Sequence, residues 1–266
     1  MNETLTQDER PPLAYKNADF LKGPDARPLR ILSEYLEPLS HFRRQRIRDT
    51  IVFFGSARIR EEGPLAEYYH DARTLAALVT NWTKTLRDRT YRFVVCSGGG
   101  PGIMEAANRG ATDARGKTIG LNIGLPHEQH PNPYITHELN FEFHYFFMRK
   151  FWFAYLAKAL VVFPGGFGTM DELFEILTLV QTQKLAKKIT IILYGTSFWK
   201  EIVNFDALVK YGTIAASDMD LFQFADSPEA AMALLRSALV DQATAPEAEI
   251  PSISPSAKPD ERNGNA

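Results

Sequence analysis

At Thr50–Phe54, Arg92–Cys96 and Ala159–Phe163 a short apolar run ends in a glycine-bearing turn, and a helical pattern follows. A continuous Val/Ile/Phe run has no polar face, so such a strand must be covered on both sides. Strands of this kind alternating with helices imply a parallel sheet between helical layers. The expected class is therefore α/β: a single Rossmann-like, doubly wound, mainly parallel sheet with helices on both faces. Ligands on such sheets bind outside the carboxyl ends of the strands. The turns Gly55-Ser56, Ser97–Gly102 and Gly165–Thr169 all belong to that edge.

The remaining pattern fits. Leu65, Tyr68, Tyr69, Ala72, Leu75, Leu78, Val79 and Trp82 recur at helical spacing between Pro64 and Arg87. Thr118–Ile123, Lys188–Tyr194 and Leu221–Phe224 read as further strands, with another expected between Tyr134 and Phe143. Leu29–Arg46 reads as a helix broken or ended near Pro38, and Phe198–Tyr211 as one helix. His144–Lys158 carries so many aromatic residues that it reads as a helix in the core or at a subunit interface. Three regions are expected: an irregular arm over 1–27, the Rossmann-like domain with its N-terminal helix over 28–242, and a disordered tail over 243–266, where Pro, Ser, Ala and acidic residues leave little to bury.

With 45% hydrophobic residues among 266, the chain can build a sizeable core. Its formal net charge of -2 lacks the basic excess of nucleic-acid-binding domains, so no nucleic-acid partner is expected. Cys96 is the single cysteine, which suits a reducing compartment. Neither a signal peptide nor a membrane span is read, so the expected location is cytoplasmic, without a membrane partner.

The chemistry concentrates in Pro164-Gly165-Gly166-Phe167-Gly168-Thr169-Met170-Asp171-Glu172. Glycines let the backbone approach an anion, and the first amides of the following helix point outward with the positive end of its dipole. That is a phosphate seat. Glu172 stands just inside the helix, within reach of the rest of a bound molecule.

A second cluster, Gly98-Gly99-Gly100-Pro101-Gly102, departs from the dinucleotide fingerprint: Ile103 takes the third glycine's place, and Asn122 stands where a ribose-binding carboxylate is expected. The phosphate-loop pattern ending in Gly-Lys-Ser/Thr is absent. Glu105 and Asn108, one turn apart, either face the cleft together or form an ordinary helix surface. Met148-Arg149-Lys150 puts two cations on the aromatic helix, where charge needs a partner: Glu172, Asp171 or a ligand phosphate, unless they form a structural salt bridge. His127, Glu128, His130 and His137 read as loop residues rather than metal ligands, and no metal or cofactor is expected.

Ser97–Ala106, Met148-Arg149-Lys150 and Pro164–Glu172 together resemble the LOG ("lonely guy") family, over roughly residues 50–240. That family includes cytokinin riboside 5'-monophosphate phosphoribohydrolases and other nucleoside-monophosphate nucleosidases, and many members carry a "lysine decarboxylase" label. The resemblance implies a catalytic pair, Arg149 and Glu172, 23 residues apart. It implies a phosphate loop at Gly165, Gly166, Gly168 and Thr169, with the early turn at Gly55 and Ser56. Gly98, Gly99, Glu105, Met148 and Lys150 complete the expected substrate-binding set. Ala57 stands where many short members have a second serine, and both ends are extended, which resembles a long bacterial-type member. The implied reaction releases free base and ribose 5-phosphate from AMP or a cytokinin-type nucleotide, and the implied assembly is a homodimer or higher homo-oligomer. The alternative is a non-catalytic binding module or carrier for a nucleotide or phosphorylated cofactor, since fold does not fix function.

Overall fold

The structure, a computed structural model, describes residues 11–86, 90–124, 130–185 and 187–244. The segment 14–26, expected to be irregular, holds a short helix α1 (Ala18–Lys22) between two single 3-10 turns. Asn17 caps α1 by accepting the Phe20 amide at 3.1 Å. Helix α2 (Arg27–Arg44) runs unbroken through Pro38. Its expected interruption is absent because the carbonyl that Pro38 cannot serve, that of Glu34, accepts the Trp152 indole N–H at 3.0 Å.

The sheet follows: β1 (Thr50–Phe54), α3 (Ala66–Thr83), β2 (Val94–Ser97), α4 (Ile103–Asp113), β3 (Thr118–Ile123) and β4 (Asn140–Phe143). Then come α5 (Phe146–Leu156), β5 (Ala157–Val162), α6 (Phe167–Gln181), β6 (Thr190–Tyr194), α7 (Thr196–Ile202), α8 (Phe205–Lys210), β7 (Phe222–Ala225) and α9 (Pro228–Thr244). The expected single helix over 198–211 is two, because Asn204 caps α8 by accepting the Ala207 amide at 2.9 Å. None of these helices is long and apolar enough to cross a membrane.

The strand order is β4-β3-β2-β1-β5-β6-β7, and every named pair is parallel. Side-chain alternation splits the core into two layers. Val52 and Phe54 of β1 pack with Phe42, Trp152, Phe153, Leu173 and Trp199 on one face. Ile51 and Phe53 pack with α3, α4 and α9 residues such as Leu75, Ile103 and Leu235 on the other. From β1 the chain winds outward through β2, β3 and β4, then returns to place β5 on the opposite side of β1. The order reverses between β1 and β5, the place where doubly wound sheets open a crevice.

Half of α5 is core, with Met148, Trp152 and Phe153 buried, while Phe146, Phe147, Phe151 and Tyr155 present an exposed aromatic face.

Candidate active site

Three turns meet at the reversal point and are stitched together by backbone. The Ser56 amide donates to the Pro164 carbonyl at 3.0 Å, and the Ile103 amide to the Ser56 carbonyl at 3.1 Å. The second contact needs glycine at 102. Its φ is +71°, and a Cβ there would run into the Ser56 carbonyl.

At the end of β5 the chain enters α6 with Gly166 as its N-cap. The first α6 bond runs from the Met170 amide to the Gly166 carbonyl at 3.0 Å. The Phe167, Gly168 and Thr169 amides find no backbone acceptor among the described residues. No acidic side chain occupies that first turn to compete for them. Gly165 and Gly166 differ in what surrounds them. A Cβ on Gly165 would strike Thr169 Oγ1, whereas Cβ atoms on Gly166 and Gly168 would meet nothing within 4 Å. The backbone at Gly166 is extended, so neither strain nor crowding inside the chain calls for glycine there.

One turn into α6, Glu172 is 4% exposed. The Arg149 Nη2 donates to its Oε1 at 3.4 Å, and Lys150 Nζ stands 3.6 Å from its Oε2. Lys150 is drawn to the outer side, to Asp171 at 2.7 Å and Glu175 at 2.5 Å. Arg149 instead lies among rings, 5.2 Å from Phe146 and 5.6 Å from Phe153. Its Nε is buried and finds no acceptor among the described residues. Burial pushes the Glu172 carboxyl above the usual range, with Lys150 and Arg149 pulling the other way. Burial likewise lowers Arg149, opposed by Glu172 and Asp171. Lys150 moves up: burial would lower it, but bonds to Asp171 and Glu175 hold its proton.

Gly55, Ser56, Gly98, Arg149, Gly166, Gly168, Thr169 and Glu172 line one cleft of ≈ 610 Å³. The other sequence candidates lie elsewhere. Gly165 faces a neighbouring hollow, Met148 is in the core, and Lys150 takes the outer carboxylates. Gly99 is buried behind Asn122. Glu105 accepts the Tyr69 hydroxyl at 3.1 Å and lines a separate small hollow. Its proposed companion Asn108 is fully buried, bonded to Ser97, Thr118 and Asn132. His127 and Glu128 lie outside the described residues. The sequence reading missed Phe54, Arg58, Met104, Phe153, Phe167 and Met170 of the cleft. Arg58 was findable as a cation two residues beyond Gly55-Ser56 on the ligand edge.

Fold and site together define an α/β Rossmann-like protein with the open amides of a helix start at the sheet's reversal point and a buried carboxylate beside them. The family model described as "Possible lysine decarboxylase" matches residues 104–235, in agreement with the LOG-family resemblance of the sequence. Among solved structures, the chain is similar to TM1055, a structural genomics target. Identity is 20%, 71% of this chain and 99% of that one are covered, and the TM-score is 0.51, which shows the shared fold. The Moco carrier protein from Chlamydomonas reinhardtii is also similar, at 20% identity over 73% of this chain and 99% of that chain, with a TM-score of 0.48. Comparison with curated proteins finds no match.

Proposed function

We propose that the protein hydrolyses the N-glycosidic bond of a nucleoside 5'-monophosphate, AMP or a cytokinin-type nucleotide, releasing free base and ribose 5-phosphate. One observation carries the reading: a buried carboxylate, Glu172, stands one turn from the open amides at Gly166–Thr169, in the same cleft. A phosphate on those amides fills the space that Gly166 and Gly168 leave open. Binding energy gained there positions the sugar. Glu172 then faces C1', stabilises its developing positive charge and takes a proton from water. The C1'–N bond breaks as the C1'–O bond forms, and the proton that Glu172 took from water passes, directly or through solvent, to the departing base's nitrogen, which regenerates the carboxylate. A carboxyl raised by burial is a better proton acceptor near neutral pH. Arg149 holds Glu172 in place, and its unpartnered Nε is available to the phosphoribosyl group.

The family description names a decarboxylase. A Schiff-base lysine must lose its proton. Lys150 is held as an ammonium by Asp171 and Glu175, which disfavours that chemistry there.

The exposed Phe146, Phe147, Phe151 and Tyr155 beside Arg149 suit a homodimer interface bordering the cleft. Incubating the full chain with AMP and following adenine and ribose 5-phosphate tests the assignment. Binding without base release would instead mark a nucleotide carrier.

A further inference from the structure

A second hollow of ≈ 380 Å³ adjoins the cleft, and the two share Ser56 and Arg58 as a common wall. Gly165 faces this hollow while Gly166, the next residue, faces the cleft. A phosphate seated on Gly166 is therefore one residue from the second space. The hollow's walls are apolar, with Leu65, Pro164 and Phe198 among them. Its rim carries Arg58, Arg60 and a single carboxylate, Glu62. Among the described residues, neither guanidinium has a hydrogen-bond or ion-pair partner, so both are free to take an anion. The neighbouring Glu61 is already committed, to Arg109 at 2.9 Å and Arg73 at 3.7 Å.

An apolar floor with a cationic rim calls for a ligand of the same two-part chemistry: an anionic group joined to a flat or apolar body. Its position beside the phosphate seat says how that ligand is linked to the first. We propose that the second hollow receives whatever is esterified beyond the 5'-phosphate. A second phosphoryl group bridges Arg58 and Arg60, and its attached apolar-faced group rests on Leu65, Pro164 and Phe198. The ligand class is a pyrophosphate-linked nucleotide ester, of which a dinucleotide is the simplest case. This inference rests on the nucleotide reading of the main cleft. It adds that the site is not closed behind the first phosphate.

Diadenosine diphosphate, two adenosines joined by a pyrophosphate, is the probe, with AMP as reference. Calorimetry on Glu172→Gln, which removes turnover, gives both affinities; Glu172→Asp replaces it should that variant not fold. Diadenosine diphosphate should bind about tenfold more tightly than AMP. Arg60→Ala, or Leu65→Glu at an exposed position, should each erase most of that ratio. Diadenosine diphosphate binding no more tightly than AMP overturns the inference while leaving the cleft assignment standing. So does a ratio that survives both substitutions. If neither compound binds, both readings fall together.

Discussion

The indole of Trp152 bonds the Glu34 carbonyl at 3.0 Å, taking the place of the amide that Pro38 lacks. The same Glu34 uses its carboxylate to accept the His144 and Tyr145 amides at 2.8 and 3.2 Å, where α5 begins. One residue of α2 thus fixes both the start and the middle of the helix that carries Arg149. Trp152→Phe should cost about 1–3 kcal/mol, because a partly buried carbonyl loses its donor. Adding Pro38→Ala should recover part of this, since alanine at 38 supplies the missing amide. Thermal melts of the two single variants and the double variant measure the coupling.

This contact also shows where sequence reading stops. The strands were legible, because runs such as Thr50–Phe54 are buried on both faces and have no other use. So was the glycine turn that opens α6 with its first amides unpaired, because those amides belong to consecutive residues. The continuity of α2 was not, because the group that repairs it lies 118 residues away. Glu105 was misplaced for the same reason: Tyr69, from another helix, holds its carboxylate. The two glycines of Gly165-Gly166 look alike in sequence, and only packing distinguishes the crowded one from the open one.

That distinction gives the second prediction. Gly165→Ala drives a methyl group into the Thr169 hydroxyl and should destabilise the fold by about 1–3 kcal/mol. Gly166→Ala meets no protein atom, so its melting temperature should stay close to wild type. Its methyl group enters the proposed phosphate space, and AMP affinity should drop roughly tenfold or more. Paired melts and titrations separate the two effects.

The third prediction concerns pH. Burial raises the Glu172 carboxyl in the folded chain above its unfolded value. The folded state therefore holds this proton more tightly, and Glu172's contribution to stability is complete below the unfolded value. It is lost as pH rises through the folded one. Glu172→Gln has no such titration, so its melting temperature relative to wild type should climb from acidic to neutral pH. A difference that stayed flat or fell would contradict the burial-dominated shift. In the proposed reaction the ionised carboxylate does the work, so activity should run the opposite way. The acid limb of kcat should lie above the ordinary glutamate range.

Arg149 supplies the fourth prediction. Arg149→Lys keeps a charge but loses the planar fork that bonds Glu172 from between Phe146 and Phe153. We expect kcat to fall by roughly 10- to 100-fold, with KM for AMP changed far less. A rise in KM at constant kcat would make Arg149 a binding group only.

The decisive measurement is base release from AMP by the full chain and by Glu172→Gln, with nucleotide binding followed on both. The account predicts that the wild-type chain yields adenine and ribose 5-phosphate in equal amounts. The variant should still bind AMP but turn over about 100- to 10,000-fold more slowly. Adenine release by Glu172→Gln at the wild-type rate would contradict it, and so would a wild-type chain that binds AMP and returns it intact.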